Sequence, residues 1–332
     1  MENCLYIVVP CYNEQEVLPE TAKRLREKMK KLIASGKIAA NSRVVFVNDG
    51  SKDETYQIIR ALHGADPLFS GINLSRNRGH QNALLAGLMT VRECADMVIS
   101  MDADLQDDID AVDEMVDKYL DGCDIVYGVR SKRETDTAFK RMTAEGFYKV
   151  TSAMGGEVVY NHADYRLMSR RALDGLAEYG EVNLFLRGIV PMIGYKTDVV
   201  TYERHERFAG ESKYPFKKML SFAMEGITSL SVKPLKAITG LGVIIFLCSI
   251  VMLIYSLVQH FIGHTSVGWS STMVSIWAIG GLQLLAIGVV GEYIGKIYLE
   301  TKKRPRFLVE EFLNDPAKKP LAETADGAAE EA

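Results

Sequence analysis

The chain reads Val98-Ile-Ser-Met-Asp102-Ala-Asp104-Leu-Gln106, an apolar run that opens into two carboxylates one residue apart. If residues 98–101 form a buried strand, the alternation of side chains beyond it lets Asp102 and Asp104 project to one side and share a cation. Hard divalent ions favour oxygen ligands and usually complete their coordination with substrate phosphates. The stretch predicts a metal site that handles a nucleotide; taken alone, it also fits a solvated loop or a helix cap.

Short apolar segments alternate with longer helical patterns over the first 130 residues. The predicted strands lie at 5–9, 43–47, 69–74, 98–101 and 124–129, and the predicted helices at about 16–34, 53–63, 80–94 and 109–120. Val- and Ile-rich strands separated by helices of this length indicate an α/β fold with a mostly parallel sheet covered on both faces. Ligands of such sheets bind at the carboxyl ends of the strands, so we expect a crevice there.

Two uncharged apolar runs lie near the C-terminus, at about 237–260 and 270–292. Each is long enough to cross about 30 Å of hydrocarbon, which predicts a C-terminal two-helix transmembrane hairpin; two buried core helices are the alternative. Lysines and arginines flank the outer ends of the pair and are missing from the connector, which places both ends in the cytoplasm. With no signal-peptide core at the N-terminus, we expect a multi-pass protein of the bacterial inner membrane with a cytoplasmic catalytic domain.

Composition divides the chain into four parts. A catalytic domain is expected over 1–213, a juxtamembrane interfacial segment over 214–236, the hairpin over 237–298, and a cytoplasmic tail over 299–332 that is disordered at its end. The five cysteines have no paired spacing, which predicts reduced thiols with neither a zinc site nor a disulfide framework. The net charge is −4 and no basic motif is interleaved with aromatics, so no nucleic-acid partner is expected.

Three motifs follow predicted strands: Val9-Pro-Cys-Tyr-Asn-Glu14, Val47-Asn-Asp-Gly-Ser-Lys-Asp53 and Asp102-Ala-Asp-Leu-Gln106. In this order they resemble the motifs of the family 2 inverting glycosyltransferases of GT-A fold, and the resemblance covers roughly residues 4–215. It implies a Rossmann-like domain that binds a nucleotide diphosphate sugar, with Mg²⁺ or Mn²⁺ bridging the diphosphate.

The resemblance also implies site residues. The nucleotide contacts would be Pro10, Tyr12, Glu14, Asp49 and Asp102, and the metal-proximal set would be Asp102, Asp104 and Gln106, with Asp104 also a catalytic candidate. Independently of any family, the carboxylates of Glu14 and Asp49 can accept charge-assisted hydrogen bonds from ribose hydroxyls or a base N–H. Asp49 could instead shape a turn, and Asp53 is expected to cap the next helix.

The loop Ser75-Arg-Asn-Arg-Gly-His-Gln81 leads into an apolar-periodic helix. Backbone N–H groups and arginine side chains can meet anions at such a place, so Arg76 and His80 are predicted to line the nucleotide pocket. A simple solvated helix start is the alternative.

Asp164, in Asn161-His-Ala-Asp-Tyr-Arg166, matches the position at which the family places an acidic residue near the acceptor. It is the candidate catalytic base; a helix cap or an ion-pair partner for Arg166 are the alternatives. A phosphate monoester, with a second pKa of about 6, is already largely dianionic at neutral pH. For such an acceptor, Asp164 can orient the substrate rather than abstract a proton.

The segment from Arg204 to Tyr214 resembles a stretch found in polyprenyl-phosphate glycosyltransferases, as does the Gly-Glu-Tyr-Ile-Gly sequence at 291–295. Arginine, lysine and serine side chains can donate to an anionic head group or to a pyrophosphate leaving group. The candidate donors are Arg130, Arg204, Arg207, Ser212 and Lys213. A juxtamembrane basic patch attracted to anionic lipids is the alternative.

The combined resemblance implies transfer of one sugar, UDP-glucose being the preferred donor, to polyprenyl (undecaprenyl) phosphate at the cytoplasmic membrane face, with inversion. The alternatives are a non-catalytic membrane partner in lipid-linked sugar handling and a transferase acting on another lipid or a polysaccharide acceptor. Membrane lipids are expected partners, and Gly280, Gly281 and Gly288 would permit the close helix contacts of a homo-oligomer.

Overall fold

The computed structural model describes residues 3–130, 162–182, 185–203 and 268–314, with scattered positions between 235 and 262. The described helices are α1 Leu18–Ala34, α2 Thr55–Ala65, α3 His80–Val91, α4 Ala111–Leu120, α5 Arg170–Ala177, α6 Leu186–Met192 and α7 Trp269–Lys302. The described strands are β1 Leu5–Cys11, β2 Arg43–Asn48, β3 Phe69–Leu74, β4 Met97–Ser100, β5 Ile125–Arg130, β6 His162–Ser169, β7 Thr197–Tyr202 and β8 Val309–Leu313.

The eight strands form one sheet in the order β7-β5-β6-β4-β1-β2-β3-β8. Strands β1 to β4 run parallel to one another, and β7 runs parallel to β5. Strand β6 is antiparallel to both β4 and β5, and β8 is antiparallel to β3. The predicted α/β class is confirmed, and the sheet is mixed because β6 and β8 enter it from the opposite end.

Strand β1 shows why the sequences of the central strands are continuous apolar runs. All seven residues of β1 are buried, because helices cover both faces of the sheet. Leu5, Ile7 and Val9 point into the apolar layer that contains α1, whereas Tyr6 and Val8 point into the layer that contains α3. A strand buried on both faces needs apolar side chains at every position rather than at alternate ones.

The predicted helices are confirmed, with shifted ends. Helix α1 begins at Leu18 instead of residue 16, because the backbone N–H groups of Val17 and Leu18 both donate to the carbonyl oxygen of Glu14 in a turn. Helix α3 ends at Val91 instead of residue 94.

Strand β8 is not among the predicted strands, because the sequence predicts a tail over 299–332. Its residues pair with β3, the hydroxyl of Tyr56 donates to the carboxylate of Glu311, and Nδ2 of Asn73 donates to Glu310 at 2.8 Å. Two adjacent glutamates hide the strand signal, because an edge strand needs few apolar side chains. The expected disordered end lies outside the described residues, as does the predicted juxtamembrane segment at 214–236 except for Leu235.

Helix α7 carries the predicted second span. Its part from Ile279 to Lys302, 24 residues, is long and apolar enough to cross a membrane, judged by length and composition, and is the single such helix among the described residues. Apolar side chains stay largely exposed along it, with Leu284 at 72% and Ile287 at 65%. Large apolar side chains left uncovered on a long helix suit a hydrocarbon environment. The predicted first span falls on positions of which only some are described, and those are helical.

Gly87 tests the packing of α3 on the sheet. A Cβ at this position would overlap Cγ1 of Val8 and lie 2.8 Å from Cγ2 of Val47. Overpacking of this kind costs about 1–3 kcal/mol, so Gly87→Ala should lower the melting temperature of the purified protein by several degrees in thermal unfolding followed by circular dichroism.

The matched control is Gly64→Ala in α2, where a Cβ meets nothing within 4 Å. Replacing a helical glycine by alanine at an open position stabilises by about 0.5–1 kcal/mol, so this variant should melt at or slightly above the wild-type temperature. Equal melting of Gly87→Ala and wild type would contradict the packing described for α3.

Candidate active site

The loops after β1 and β2 are joined by reciprocal hydrogen bonds. The N–H of Asn13 donates to Oγ of Ser51 at 3.0 Å, and the N–H of Lys52 donates to Oδ1 of Asn13 at 2.8 Å. The N–H of Glu14 donates to the hydroxyl of Thr55 at 2.8 Å. These bonds place the two predicted nucleotide motifs side by side at the carboxyl ends of neighbouring strands.

The predicted nucleotide contacts of the first motif lie at this edge. Pro10 is buried within β1, Glu14 is half-buried, and the ring of Tyr12 is exposed, at 43%. The N-cap residue of α2 is Glu54 rather than the expected Asp53; Asp53 precedes it and accepts the N–H of Thr55, the first residue of the helix. The roles of Pro10, Tyr12 and Glu14 toward a nucleotide stay predictions.

Asp49 holds the loop of residues 75–79. Its Oδ1 accepts the N–H of Arg78 at 2.7 Å, its Oδ2 accepts the N–H of Gly79 at 2.9 Å, and its carbonyl oxygen accepts from Nδ2 of Asn77 at 3.0 Å. Burial raises the pKa of Asp49, although the two amide donors oppose the rise. Asp49 therefore fixes the loop that carries the exposed Arg76 and leads to His80. A contact between Asp49 and a nucleotide stays a prediction and would be a second role beside this structural one.

Gly50 allows that loop to approach. Its φ is +63°, in the left-handed region. A Cβ at this position would overlap the backbone nitrogen of Asn77 and lie 2.7 Å from the carbonyl carbon of Arg76. Only glycine satisfies both the backbone conformation and the close approach.

The carboxylate pair comes directly after β4, as predicted. Asp104 accepts the N–H of Gln106 at 3.2 Å, a local turn in which Leu105 has a φ of +56°. Burial raises the pKa of Asp102 to about 6, and the charges of Asp107 and other nearby carboxylates add to the rise, while His80 opposes it. Negative charge is thus crowded around Asp102.

The donor set fits a divalent cation that is bound together with a substrate. Among the described residues, no group of three or more His, Cys, Asp or Glu side chains could hold a metal ion. Mg²⁺ is commonly held by one or two carboxylates with substrate phosphates and water as the other ligands. Asp102 and Asp104 would supply those carboxylates, and a cation would offset the neighbouring negative charges that add to the rise that burial causes in the pKa of Asp102. Gln106 is buried beside them.

Asp164 lies at the start of β6 and is 5% exposed. Its Oδ1 accepts from Nη2 of Arg166 at 2.7 Å, and its two oxygens accept from Nε and Nη2 of Arg187 at 3.3 and 3.1 Å. Burial alone would raise the pKa of Asp164, but His80, Arg187 and Arg166 hold it well below its ordinary value. A carboxylate in this state is a weak proton acceptor, which favours the ion-pair alternative over the catalytic base.

His80 connects Asp164 to the carboxylate pair. Its Nε2 lies 3.6 Å from Oδ2 of Asp164 and 3.5 Å from Oδ1 of Asp102. Burial lowers the pKa of His80, but both carboxylates raise it and the net shift is upward. The imidazole therefore joins side chains from three separate segments at one edge of the sheet.

Arg130, at the end of β5, is held by two side chains. Its Nη2 donates to Oδ1 of Asp107 and its Nε donates to the hydroxyl of Tyr202, both at 3.2 Å. The same hydroxyl donates to Asp107 at 2.6 Å. Asp107 is 2% exposed, so Arg130 is tied to a buried anchor.

Sequence reasoning did not identify Asp107, Arg187 and Tyr202 as parts of this site. Asp107 follows the Asp-Ala-Asp-Leu-Gln motif directly, and that adjacency was the available signal. Arg187 and Tyr202 carry no local signal, because pairing of β6 and β7 into the sheet brings them close. The predicted Arg204, Arg207, Ser212 and Lys213 lie outside the described residues.

A carboxylate pair at the carboxyl edge of this mixed sheet, beside the guanidinium groups of Arg130 and Arg187, is an arrangement typical of a GT-A-like enzyme. The chain matches the glycosyl transferase family 2 model over residues 6–176 and the GtrB C-terminal hairpin model over residues 233–297. The chain belongs to glycosyl transferase family 2 and is a glycosyltransferase, as the motifs predicted.

Similar proteins include the Bacillus subtilis protein named uncharacterized glycosyltransferase YkoT, 51% identical over 96% of this chain and 94% of that one. The bactoprenol glucosyl transferase of Shigella phage SfX is 42% identical over 92% of this chain and 98% of that one. Among solved structures, glucosyl-3-phosphoglycerate synthase of Mycobacterium tuberculosis has a TM-score of 0.43 and 14% identity, over 69% of this chain and 77% of that one.

Gly50→Ala tests the contact between the second motif and the loop of residues 75–79. The variant should displace this loop and weaken binding of UDP at the predicted nucleotide contacts at least about tenfold, measured by calorimetry with Mg²⁺, because hydrogen bonds that Asp49 accepts are lost. Gly36→Ala is the control: its φ is +70°, but a Cβ there meets nothing within 4 Å.

The control carries only the backbone cost of the left-handed region, about 1–2 kcal/mol, and should bind UDP as the wild type does. Unchanged UDP affinity in Gly50→Ala would show that the nucleotide site does not depend on this contact.

Proposed function

We propose that this glycosyltransferase moves a single sugar from a nucleotide diphosphate sugar to polyprenyl phosphate at the cytoplasmic face of the bacterial inner membrane. The observation that carries the proposal is the meeting of Asp102, Asp104 and the anchored Arg130 at one edge of the sheet, in a chain that also carries a matched C-terminal hairpin. Relatives named bactoprenol glucosyl transferase, about two-fifths identical over nearly the whole chain, support the acceptor and favour glucose as the sugar. UDP-glucose is the donor that we propose.

The reaction would be a displacement at the anomeric carbon with inversion of configuration. The acceptor phosphate oxygen attacks, the bond to the nucleotide diphosphate breaks, and the diphosphate leaves with the electron pair. A bound Mg²⁺ or Mn²⁺ would supply charge neutralisation to that leaving group, held by Asp102 and Asp104. Arg130 would add a fixed positive charge that needs little reorganisation, because Asp107 and Tyr202 already orient it.

No strong base is required in this scheme. A phosphate monoester is largely dianionic at neutral pH and attacks without losing a proton to the protein. The lowered pKa of Asp164 agrees with this, since its carboxylate is paired with guanidinium groups. Asp164 would act by positioning Arg187 and His80.

The membrane arrangement follows from the hairpin. Two spans at about 237–260 and 270–292, with basic residues at their outer ends, would make the protein multi-pass with its catalytic domain in the cytoplasm. One predicted segment, which carries Arg204, Arg207, Ser212 and Lys213, would then lie beside the bilayer, just before the chain enters the membrane. Its donors could bind the lipid phosphate or the departing diphosphate.

A double substitution tests the metal assignment. Asp102→Asn with Asp104→Asn should lower sugar transfer to undecaprenyl phosphate at least about a hundredfold, because the charge that holds the cation is removed. Circular dichroism should show a folded protein. Asp174→Asn, at an exposed site on α5, is the control and should transfer sugar at the wild-type rate. Normal transfer by the double variant would contradict the assignment.

Product analysis tests the substrates and the stereochemistry. Purified protein with undecaprenyl phosphate and a panel of nucleotide sugars should give one glycosylated lipid by mass spectrometry, with UDP-glucose as the best donor. EDTA should abolish the product, and added Mg²⁺ or Mn²⁺ should restore it. NMR should show the opposite anomeric configuration to that of the donor; a retained configuration would rule out the single displacement.

A further inference from the structure

Arg187 stands at the crevice without an assigned role. It lies in the first turn of α6, and its guanidinium contacts both oxygens of Asp164 through Nε and Nη2. This side-on pairing leaves Nη1 pointing away from the carboxylate, and no described residue accepts a hydrogen bond from it. The side chain is 43% exposed, so the group is reachable from solvent.

Asp164 does not depend on Arg187 alone for its charge compensation. Asp164 carries one negative charge, and Arg166, whose side chain is 1% exposed, already neutralises it at 2.7 Å. A buried carboxylate is compensated when charged donors pair with its oxygens. Arg187 adds a second guanidinium to Asp164, and unlike the buried Arg166 it keeps a donor nitrogen that is free to receive an anion.

The surroundings of Arg187 place it within the active site. His80 bridges Asp164 and Asp102, so Arg187 is linked to the predicted metal ligand Asp102 through three contacts. Burial lowers the pKa of Arg187, but Asp164 and Asp102 raise it overall, and the charge of Arg130 opposes them. The two guanidiniums are thus close enough to influence each other, and both lie near the carboxylate pair.

Helix α6 is fixed in place before any substrate arrives. The N–H of Leu186 donates to Oε1 of Gln81 on α3 at 3.1 Å, and its carbonyl oxygen accepts from Nη1 of Arg166 at 3.4 Å. Leu186, Ile189 and Val190 are buried in the core beneath the helix. Arg187 is therefore held by a rigid support, which lowers the entropy cost of ordering it on a ligand.

We propose that Arg187 is a catalytic residue that binds a phosphate oxyanion of a substrate, with Asp164 holding its guanidinium side-on toward the crevice. The phosphate belongs either to the nucleotide diphosphate or to the acceptor, and this inference rests on the proposed function. Nη1 and the second hydrogen of Nη2 would donate to the phosphate oxygens.

The test compares each phosphate ligand with its counterpart that lacks phosphate. Binding of UDP and uridine, with Mg²⁺ and with EDTA, and binding of farnesyl phosphate and farnesol are measured by calorimetry on the full-length protein in detergent. Arg187→Gln should weaken UDP or farnesyl phosphate roughly 10- to 100-fold and leave the counterpart without phosphate unchanged. The ligand that loses affinity identifies which phosphate Arg187 contacts.

Two further variants separate this role from a structural one. Arg187→Lys keeps the charge without the planar fork and should recover part of the lost affinity. Arg24→Gln removes an exposed arginine that pairs with Glu20 on α1, and should bind all four ligands as the wild type does. Thermal unfolding checks that each variant is folded. If Arg187→Gln does not fold, the comparison is made with Arg187→Lys instead.

Three results would overturn the inference: unchanged affinities in both Arg187 variants, equal losses for uridine and UDP, or a wild type that binds neither phosphate ligand more tightly than its counterpart. Failure of the proposed function is a separate outcome, seen as a wild type that transfers no sugar to undecaprenyl phosphate. Selective loss of UDP binding in Arg187→Gln would still support the inference in that case, for the donor diphosphate.

Discussion

A single buried negative charge, the carboxylate of Asp164, organises the active-site end of the sheet. It is met by Arg166 on its own strand, by Arg187 on α6 and by His80 on α3. Removing one partner of a buried ion pair typically costs about 3–5 kcal/mol, because the remaining charge is left without compensation. Strand β6 and two helices are therefore fixed relative to each other, and His80 extends the constraint to Asp102.

Some residues of the site hold other groups in place, and the groups that they hold are available to contact a substrate. Asp49 holds the loop of residues 75–79, Asp107 holds Arg130, and Asp164 holds Arg187. In each case a buried carboxylate accepts hydrogen bonds from a loop or a side chain at this edge of the sheet. Preorganisation of this kind keeps the charges oriented before substrate arrives, which is where most electrostatic catalysis originates.

Hydrogen bonds also connect the apolar helix α7 to the domain that carries the site. The carboxylate of Glu300, in the last turn of α7, accepts the N–H of Val182 at 2.8 and 3.0 Å, and Arg306 donates to the carbonyl oxygen of Tyr179 at 2.9 Å. Strand β8 then joins the sheet beside β3. The C-terminal end of the helix is thus bonded to the region that precedes α6, and a helix anchored in a membrane would hold the crevice near its surface.

Local patterns predicted most of the first 130 residues, because buried parallel strands and amphipathic helices leave clear periodicities. Local patterns also predicted that the Asp102 and Asp104 pair and the loop before α3 lie at the ends of strands. Strand β8 was missed because its two glutamates break the alternation, and Arg187 and Tyr202 were missed because only the pairing of distant strands brings them to the site. The ion pair of Asp164 with Arg166 was among the alternatives that the sequence offered, whereas its pairing with Arg187 could not be predicted, since Arg187 lies 23 residues further along the chain.

The most direct measurement of the central claim is electron paramagnetic resonance of Mn²⁺ bound to the full-length protein with UDP. If Asp102 and Asp104 hold a cation against a substrate diphosphate, the spectrum should show hyperfine coupling between Mn²⁺ and the ³¹P nuclei of UDP. The coupling should vanish in the Asp102→Asn and Asp104→Asn double variant. A Mn²⁺ signal without phosphorus coupling, or a coupling that survives the double substitution, would contradict the account.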